Sequence, residues 1–166
     1  MFKATTAPQY QMILQFVPIL TQACEILREE YQQYCSGGAF GIERKSDDSP
    51  VTQADYRVNA YICDALAQIS DLPLLSEEGT HGERQTWHEF WLLDPLDGTK
   101  EFLHQRPEFT INLSLIKGSL TTFAALAVPA QGIIYWCAEY GLPLKYDLCS
   151  KQWFIYTENN DQQVVQ

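Results

Sequence analysis

Positively charged residues are scarce in this sequence. Its 166 residues include 11 lysines and arginines against 21 aspartates and glutamates, which gives a formal net charge of -10 at pH 7. Such a surface repels the phosphate backbone of nucleic acids and anionic lipid headgroups, so we expect no nucleic acid polymer as a partner, and non-specific binding to a membrane surface is disfavoured. A small phosphorylated ligand stays compatible, because acidic side chains can recruit divalent cations that then hold a phosphate group.

Several sequence signals are missing altogether. The five cysteines are scattered and form no C-x-x-C pair, which argues against a disulfide framework and a structural zinc site. The sequence lacks the P-loop, G-x-G-x-x-G, H-E-x-x-H and G-x-S-x-G motifs. Nothing therefore supports a glycine-rich nucleotide-binding loop, a zinc-protease site or a serine-hydrolase site. The sequence shows no signal peptide and no apolar run long enough for a transmembrane segment, so we expect a cytoplasmic protein.

Apolar residues, by contrast, are plentiful. They make up 46% of the chain and aromatic residues 13%, which is enough to bury a core and excludes a disordered chain. The length suits a single domain of ordinary size. We expect this domain to cover residues 1–157 and the remaining residues, 158–166, to form a polar tail.

The first part of the chain predicts two helices. Apolar residues from Ile13 to Tyr31 recur at three- and four-residue steps, and Pro18 is tolerated best if the regular helix begins just before it. Ser36-Gly37-Gly38 ends this helix. A second helix begins near Thr52, because Thr52 and Asp55 have the spacing of a capping box.

From about residue 73 the pattern changes to short apolar runs separated by turns. The predicted strands lie at 74–75, 90–93, 109–116, 121–128, 133–138 and 144–146. Two helices followed by a run of hairpins predict an α+β fold, in which two N-terminal helices pack on an antiparallel sheet.

One acidic stretch, Trp91 to Thr99, suggests chemistry. Asp94 and Asp97 would face opposite sides of a regular strand, but Pro95 and Gly98 predict a bend that can bring both carboxylates to one point. The amides after the turn could open a short helix and attract phosphate. Hard oxygen ligands beside such amides suit magnesium and a phosphoester. An ordinary Asp/Gly turn is the alternative interpretation.

Two further elements carry acids. Glu77 and Glu78 follow the short strand at Leu74-Leu75, where they are either part of a site or simply solvated loop residues. Asp55 follows the stretch from Lys45 to Thr52, and it has either a functional role or only the capping role. Each signal is modest by itself, and their order along the chain makes the set specific.

Together the three elements resemble the signature of the inositol monophosphatase superfamily, which comprises magnesium-dependent, lithium-sensitive phosphatases. Residues 49–55 match its first motif, residues 75–78 its glutamate motif and residues 91–99 its central motif. The sequence Leu-Ser-Glu-Glu at residues 75–78 and the segment at residues 98–102 are similar to the corresponding segments of bacterial 3′(2′),5′-bisphosphate nucleotidases. Inositol phosphatases more often have Asn at the position of Glu101. The resemblance implies the N-terminal half of the layered α/β sugar-phosphatase fold.

The resemblance also implies roles for individual residues. Two or three magnesium ions would be bound by four groups, namely Glu77, Asp94, the backbone carbonyl of Leu96 and Asp97. Asp97 would bridge two ions, and the amides of Gly98 and Thr99 would hold the scissile phosphate. Asp55 and the Thr99 hydroxyl would pair to orient the attacking water, so the catalytic residues would be Asp55, Thr99 and Glu77. Substrate would contact Glu77 and residues 96–99, with Lys45 and Glu78 nearby in secondary roles.

Family members continue into a second domain with a late Trp-Asp motif, whose Asp completes the metal site. No Trp-Asp dipeptide occurs in this sequence, which ends at Gln166, so we expect the C-terminal domain of the family to be absent. The sheet face left open would then either be covered in a homodimer or leave the chain unstable.

The function implied by the resemblance is hydrolysis of the 3′-phosphate of adenosine 3′,5′-bisphosphate (PAP) to AMP, and also action on its sulfated relative PAPS, in sulfur assimilation. Whether this chain is active by itself is open. One alternative keeps the chemistry but acts on an inositol or sugar phosphate. A second alternative is a non-catalytic metal-binding remnant or interaction domain.

Overall fold

The computed structural model describes residues 8–79, 86–139, 142–155 and 163–165. Its first element is helix α1, Pro8–Cys35. Its buried face includes Phe16, Leu20 and Leu27, at the helical spacing that the sequence predicted. Gly37, with φ of +78°, follows the helix and ends it as predicted.

The predicted start of this helix is wrong, because α1 begins at Pro8 and runs through Pro18. Pro18 has no N–H, so the carbonyl of Leu14 lacks its usual partner one turn later. Leu14 is 46% exposed, so water can reach this part of the helix. The missing hydrogen bond is tolerated because it lies on the solvent side.

Helix α2, Gln53–Ala67, packs beside α1. It follows a small antiparallel hairpin formed by β1, Ile42–Arg44, and β2, Pro50–Thr52. Thr52 caps α2, and the reciprocal capping box with Asp55 is present, as the sequence predicted. The second predicted helix is therefore confirmed, with a start fixed by its own side chains.

Within the part of the chain that the structure describes, the main sheet has eight strands in the order β10-β9-β8-β7-β6-β5-β4-β3. The strand bounds are β3 Leu74–Ser76, β4 Glu89–Asp97, β5 Thr110–Lys117, β6 Leu120–Val128, β7 Ile133–Ala138, β8 Leu144–Asp147, β9 Gln152–Ile155 and β10 Gln163–Val165. A short helix, α3, spans Thr99–Leu103, directly after β4.

The α+β class is thus shown, with one correction to the predicted sheet. Among the described residues, all neighbouring strand pairs of this sheet are antiparallel except β3 and β4, which are parallel. Two strands in succession can be parallel only if the connection between them returns the chain to the end of the sheet at which the first strand began. Strands β1, β2, β9 and β10, which have three or four residues each, were not predicted. The predicted polar tail contains β10, which pairs with β9, while residues 158–162 and 166 lie outside the described residues.

The core lies between the helices and one face of the sheet. Phe16 of α1 packs against Trp91 and Phe123 of the sheet in tilted arrangements, with ring centroids 5.0 and 5.3 Å apart. The opposite sheet face is more open, and Leu92 and Leu126 there are 41% and 39% exposed. Among the described residues, none of the helices has the length and apolar character needed to cross a membrane.

Candidate metal and phosphate site

The parallel pairing of β3 and β4 brings two predicted site residues together. Ser76 lies opposite Leu93, and the Glu77 amide extends the pairing by donating a 3.0 Å hydrogen bond to the carbonyl of Leu93. Glu77 and Asp94 are the next residues on their two chain segments. Because parallel strands run in the same direction, the residues that follow a paired position lie side by side, and these two carboxylates become neighbours.

A β-bulge brings in Asp97. Strand β4 pairs Asp94 with Asn112 of β5 and Asp97 with Thr110, so four residues on β4 span three on β5. Thr110 and Asn112 are two residues apart and share a face of β5. The extra residue therefore turns Asp97 toward the same side as Asp94, which is the convergence that the predicted bend required.

The carboxylate of Asp94 is perturbed by its surroundings. Burial, and then the negative charges of Glu77 and Asp97, raise the pKa of Asp94 to about 7. Repulsion of this kind is relieved by a proton or by a cation. The oxygen-only donor set and its unfavourable negative charge fit a hard divalent cation such as magnesium.

Lys45 supplies a positive charge at this cluster. Its ammonium nitrogen lies 2.8 Å from Oε1 of Glu77 and 2.8 Å from Oε1 of Glu78. Burial lowers the pKa of Lys45, but the hydrogen bonds to the two glutamates outweigh it and raise this pKa above its usual value. Lys45 and Glu78 therefore lie beside the predicted site, and Glu78, with a side chain only 4% exposed, depends on Lys45 for charge neutralisation.

Asp55 combines the two roles that the sequence left open. Its Oδ2 accepts hydrogen bonds from the Thr52 amide at 2.8 Å and the Thr52 hydroxyl at 2.7 Å, and the residue is only 2% exposed. Burial raises the pKa of Asp55, and the hydrogen bonds from Thr52 oppose this shift without cancelling it. The second oxygen, Oδ1, lies 3.4 Å from Oγ1 of Thr99. The helix cap thus positions the carboxylate against Thr99.

Thr99 connects Asp55 to the end of β4. Its hydroxyl lies 3.1 Å from the backbone carbonyl oxygen of Leu96, so the oxygen predicted to bind metal is within reach of the Asp55–Thr99 pair. The same hydroxyl can donate only one hydrogen bond at a time. The Leu96 carbonyl and Asp55 therefore compete for it, and a ligand that takes up the carbonyl would free Thr99 for Asp55.

Gly98 has the conformation that starts α3. Its φ is +97°, a region that favours glycine, and it stands at the N-cap of the helix. A Cβ at this position would lie 2.8 Å from the carbonyl oxygen of Glu108. Glycine is needed here for backbone conformation and for space.

Two shallow cavities adjoin these groups. One, of about 250 Å³, is lined by eight residues, Ser49, Pro50, Glu77, Asp97, Gly98, Thr99, Lys100 and Glu101. The other, of about 340 Å³, lies on the open sheet face, with Glu77, Asp94 and Asn112 in its wall. Glu77 lines both cavities, so it lies between the one that contains Asp94 and the one that contains Asp97, Gly98 and Thr99.

The structure brings the predicted residues close without forming a finished metal cage. Among the described residues, no three His, Cys, Asp or Glu side chains are arranged to hold an ion. Lys45 occupies one side of Glu77, and the Asn112 amide donates to Asp97. Sequence reasoning missed Asn112, whose only signal is a polar residue between the apolar neighbours Ile111 and Leu113.

The comparisons with known proteins identify the family of the chain. The model of the inositol monophosphatase family matches residues 9–145, so the chain belongs to this family. It is 38% identical over 128 residues to the 3′(2′),5′-bisphosphate nucleotidase CysQ of Salmonella typhimurium, and the match covers 73% of this chain and 52% of that protein. The identity to CysQ of Escherichia coli K12 is also 38%, with the same coverage.

Solved structures show the same fold. The crystal structure of CysQ from Bacteroides thetaiotaomicron superposes with a TM-score of 0.66 at 28% identity and covers 84% of this chain and 50% of that one. An IMPase/NADP phosphatase complexed with Mg²⁺ and phosphate superposes with a TM-score of 0.72 at 17% identity, covering 84% and 52%. The chain thus spans about half the length of the relatives it matches.

Proposed function

We propose that this protein is a magnesium-dependent phosphomonoesterase that removes the 3′-phosphate of adenosine 3′,5′-bisphosphate. The observation that carries the proposal is the convergence of Glu77, Asp94 and Asp97 at one sheet edge, with the Asp55–Thr99 pair beside it. Similarity to proteins named CysQ nucleotidases supports the choice of substrate.

Magnesium would be held by Glu77, Asp94, Asp97 and the carbonyl of Leu96, and the family resemblance implies two or three ions. The donor set fits, because it consists of oxygens only and because Asp94 is partly buried beside the negative charges of Glu77 and Asp97, which together raise its pKa. When bound, the metal supplies Lewis-acid stabilisation of charge on the phosphate ester. The ammonium group of Lys45, which forms an ion pair with Glu77, offsets part of the negative charge of the carboxylate cluster.

Activation of water and binding of the phosphate group are assigned to side chains and backbone amides of this chain. Asp55 is held by Thr52 and points its other oxygen at Thr99, so the pair can orient a water molecule toward phosphorus and accept its proton. The amides of Gly98 and Thr99, at the start of α3, would bind the phosphate oxygens. The adjoining cavity of about 250 Å³ has room for the phosphate group.

The test is release of inorganic phosphate from adenosine 3′,5′-bisphosphate with and without magnesium, compared for the wild type, Asp97→Asn and Asp48→Asn. Asp48 carries the same charge but is exposed, so its variant controls for a general loss of negative charge. We expect Asp97→Asn to lower turnover by at least about 100-fold and Asp48→Asn to leave it unchanged. Equal turnover of all three proteins would refute the role of Asp97.

Two alternatives are separated by the same assays. Preferential hydrolysis of inositol 1-phosphate would favour an inositol or sugar monophosphatase, since the family has both kinds of member. Magnesium binding measured by calorimetry without any turnover would favour a non-catalytic metal-binding remnant. Millimolar lithium should inhibit an active chain, and indifference to lithium would contradict the proposed mechanism.

Other expectations stay predictions. A role in sulfur assimilation, action on PAPS and a cytoplasmic location follow from the resemblance and from the sequence alone. The choice between a homodimer and an unstable open sheet face is likewise untested, and sedimentation velocity over a range of protein concentrations would detect a dimer. These properties do not affect the argument for the site.

A further inference from the structure

Asn112 is the polar side chain of β5 that reaches the carboxylate cluster. It lies directly opposite Asp94 in the β4–β5 pairing. Its Nδ2 donates a 3.0 Å hydrogen bond to Oδ2 of Asp97, and its Oδ1 lies 3.4 Å from the Thr110 hydroxyl. One uncharged residue thus pairs with one proposed metal ligand through the strand ladder and with another through its side chain.

The core does not account for this residue. Ile111 and Leu113 are fully buried on the helix side of β5, so Asn112 points to the opposite face. On that face it lines the cavity of about 340 Å³ together with Glu77 and Asp94. Asn112 takes no part in the apolar core, and its amide nitrogen is directed at Asp97 of the site.

We infer that Asn112 is a positioning residue that fixes the carboxylate of Asp97 for cation binding. The inference rests on the proposed metal site. Without a donor at Oδ2, repulsion from Asp94 and Glu77 would favour rotation of Asp97 toward solvent. The amide holds the carboxylate in the bulge, and its neutrality leaves the negative charge of the cluster available to the metal. Loss of an outer hydrogen-bond partner of a metal ligand typically lowers metal affinity about 10- to 100-fold.

The experiment is calorimetric titration of the whole chain with magnesium chloride. The variants are Asn112→Leu, which keeps the size but removes the donor, and Asn112→Gln, which retains an amide. Ser114→Ala is the matched control, because Ser114 lies on the same face of β5, one step further from Asp97. Thermal unfolding without magnesium shows whether each variant folds.

We expect Asn112→Leu to raise the magnesium dissociation constant about tenfold or more, Asn112→Gln to recover part of the loss, and Ser114→Ala to match the wild type. The melting temperature without magnesium should be similar for all four proteins, a result that a merely structural role of Asn112 would not give. Equal magnesium affinity of Asn112→Leu and Ser114→Ala overturns the inference.

The two proposals can fail separately. If the wild type binds magnesium, Asp97→Asn does not and Asn112→Leu binds normally, only the role of Asn112 is refuted. If the wild type binds no magnesium, the proposed metal site is refuted and the role of Asn112 with it. A tenfold loss in Asn112→Leu accompanied by a large drop in melting temperature also counts against a positioning role.

Discussion

The ammonium group of Lys45 lies 2.8 Å from the carboxylate of Glu77 and occupies a position beside the proposed metal ligands. Lys45 comes from the segment between β1 and β2, and Glu77 from the end of β3, so the contact joins two distant parts of the chain. A divalent cation bound to Glu77 would share this carboxylate with Lys45. The contact therefore connects cation affinity to the stability of the site.

Replacing Lys45 by Met should strengthen magnesium binding while weakening the fold. Loss of a nearby positive charge favours the cation by about 3- to 10-fold in dissociation constant. The same change leaves the buried Glu78 without its ammonium partner, at a cost of about 1–3 kcal/mol in free energy of unfolding.

Calorimetry and urea unfolding measure these two effects, and Arg44→Met is the control. Arg44 is the neighbouring cation, but its ion pair with Asp48 is exposed, so its loss should change the free energy of unfolding by less than about 0.5 kcal/mol. Weaker magnesium binding by Lys45→Met than by Arg44→Met would contradict the competition between Lys45 and the cation.

Thr99→Val should lower turnover about 100- to 1,000-fold with little loss of stability. Valine keeps the shape of threonine but cannot reach Asp55 or the Leu96 carbonyl with a hydroxyl. Thr99→Ser retains the hydroxyl and should stay within about tenfold of the wild type. Phosphate release at saturating magnesium measures both, and a serine variant as slow as the valine variant would argue against the hydroxyl.

Gly98→Ala should lower the free energy of unfolding by about 2–4 kcal/mol, because it combines left-handed backbone strain with a close contact to the Glu108 carbonyl. Gly37 is a matched control. Its φ is also positive, but a Cβ on Gly37 would meet nothing within 4 Å, so Gly37→Ala should cost only about 1 kcal/mol. Urea unfolding of both variants separates the two causes, and equal losses would show that the Glu108 contact does not matter.

Cys24 should resist alkylation by iodoacetamide in the folded protein. It is completely buried in α1, and burial raises the pKa of its thiol to about 12, so the reactive thiolate is scarce at about pH 8. Cys149 is exposed and should react readily under the same conditions. Mass spectrometry of digested protein measures the two rates, and comparable rates before unfolding would indicate that the α1 core opens.

The same shift predicts how alkaline pH affects stability. Above about pH 9 the thiol of Cys24 ionises in the unfolded chain, while the folded chain keeps its proton until the pH nears its raised pKa of about 12. The unfolded state is thereby favoured, so the contribution of Cys24 to stability is lost as the pH rises through this range. Urea unfolding at about pH 8 and pH 10 should show a smaller pH dependence for Cys24→Ala than for the wild type.

Much of the fold was predictable from local patterns. The buried faces of α1 and α2 follow helical spacing, and the capping box at Thr52 and Asp55 fixes the start of α2. Strands β3 to β8 coincide with short apolar runs. The start of α1 was not predictable, because the solvent exposure that lets this helix pass through Pro18 depends on how the helix packs. Strands β1, β2, β9 and β10 were not predictable, because each is defined by its pairing partner elsewhere in the chain.

For the candidate site, the sequence by itself determined which acids are available and that Pro95 and Gly98 permit a bend between Asp94 and Asp97. Only the tertiary structure decided that β3 runs parallel to β4, that the bulge pairs Asp97 with Thr110, and that Asn112 reaches the same carboxylate. The physical reason is that side-chain periodicity is local, whereas strand direction and register arise from hydrogen bonds between segments far apart in the sequence.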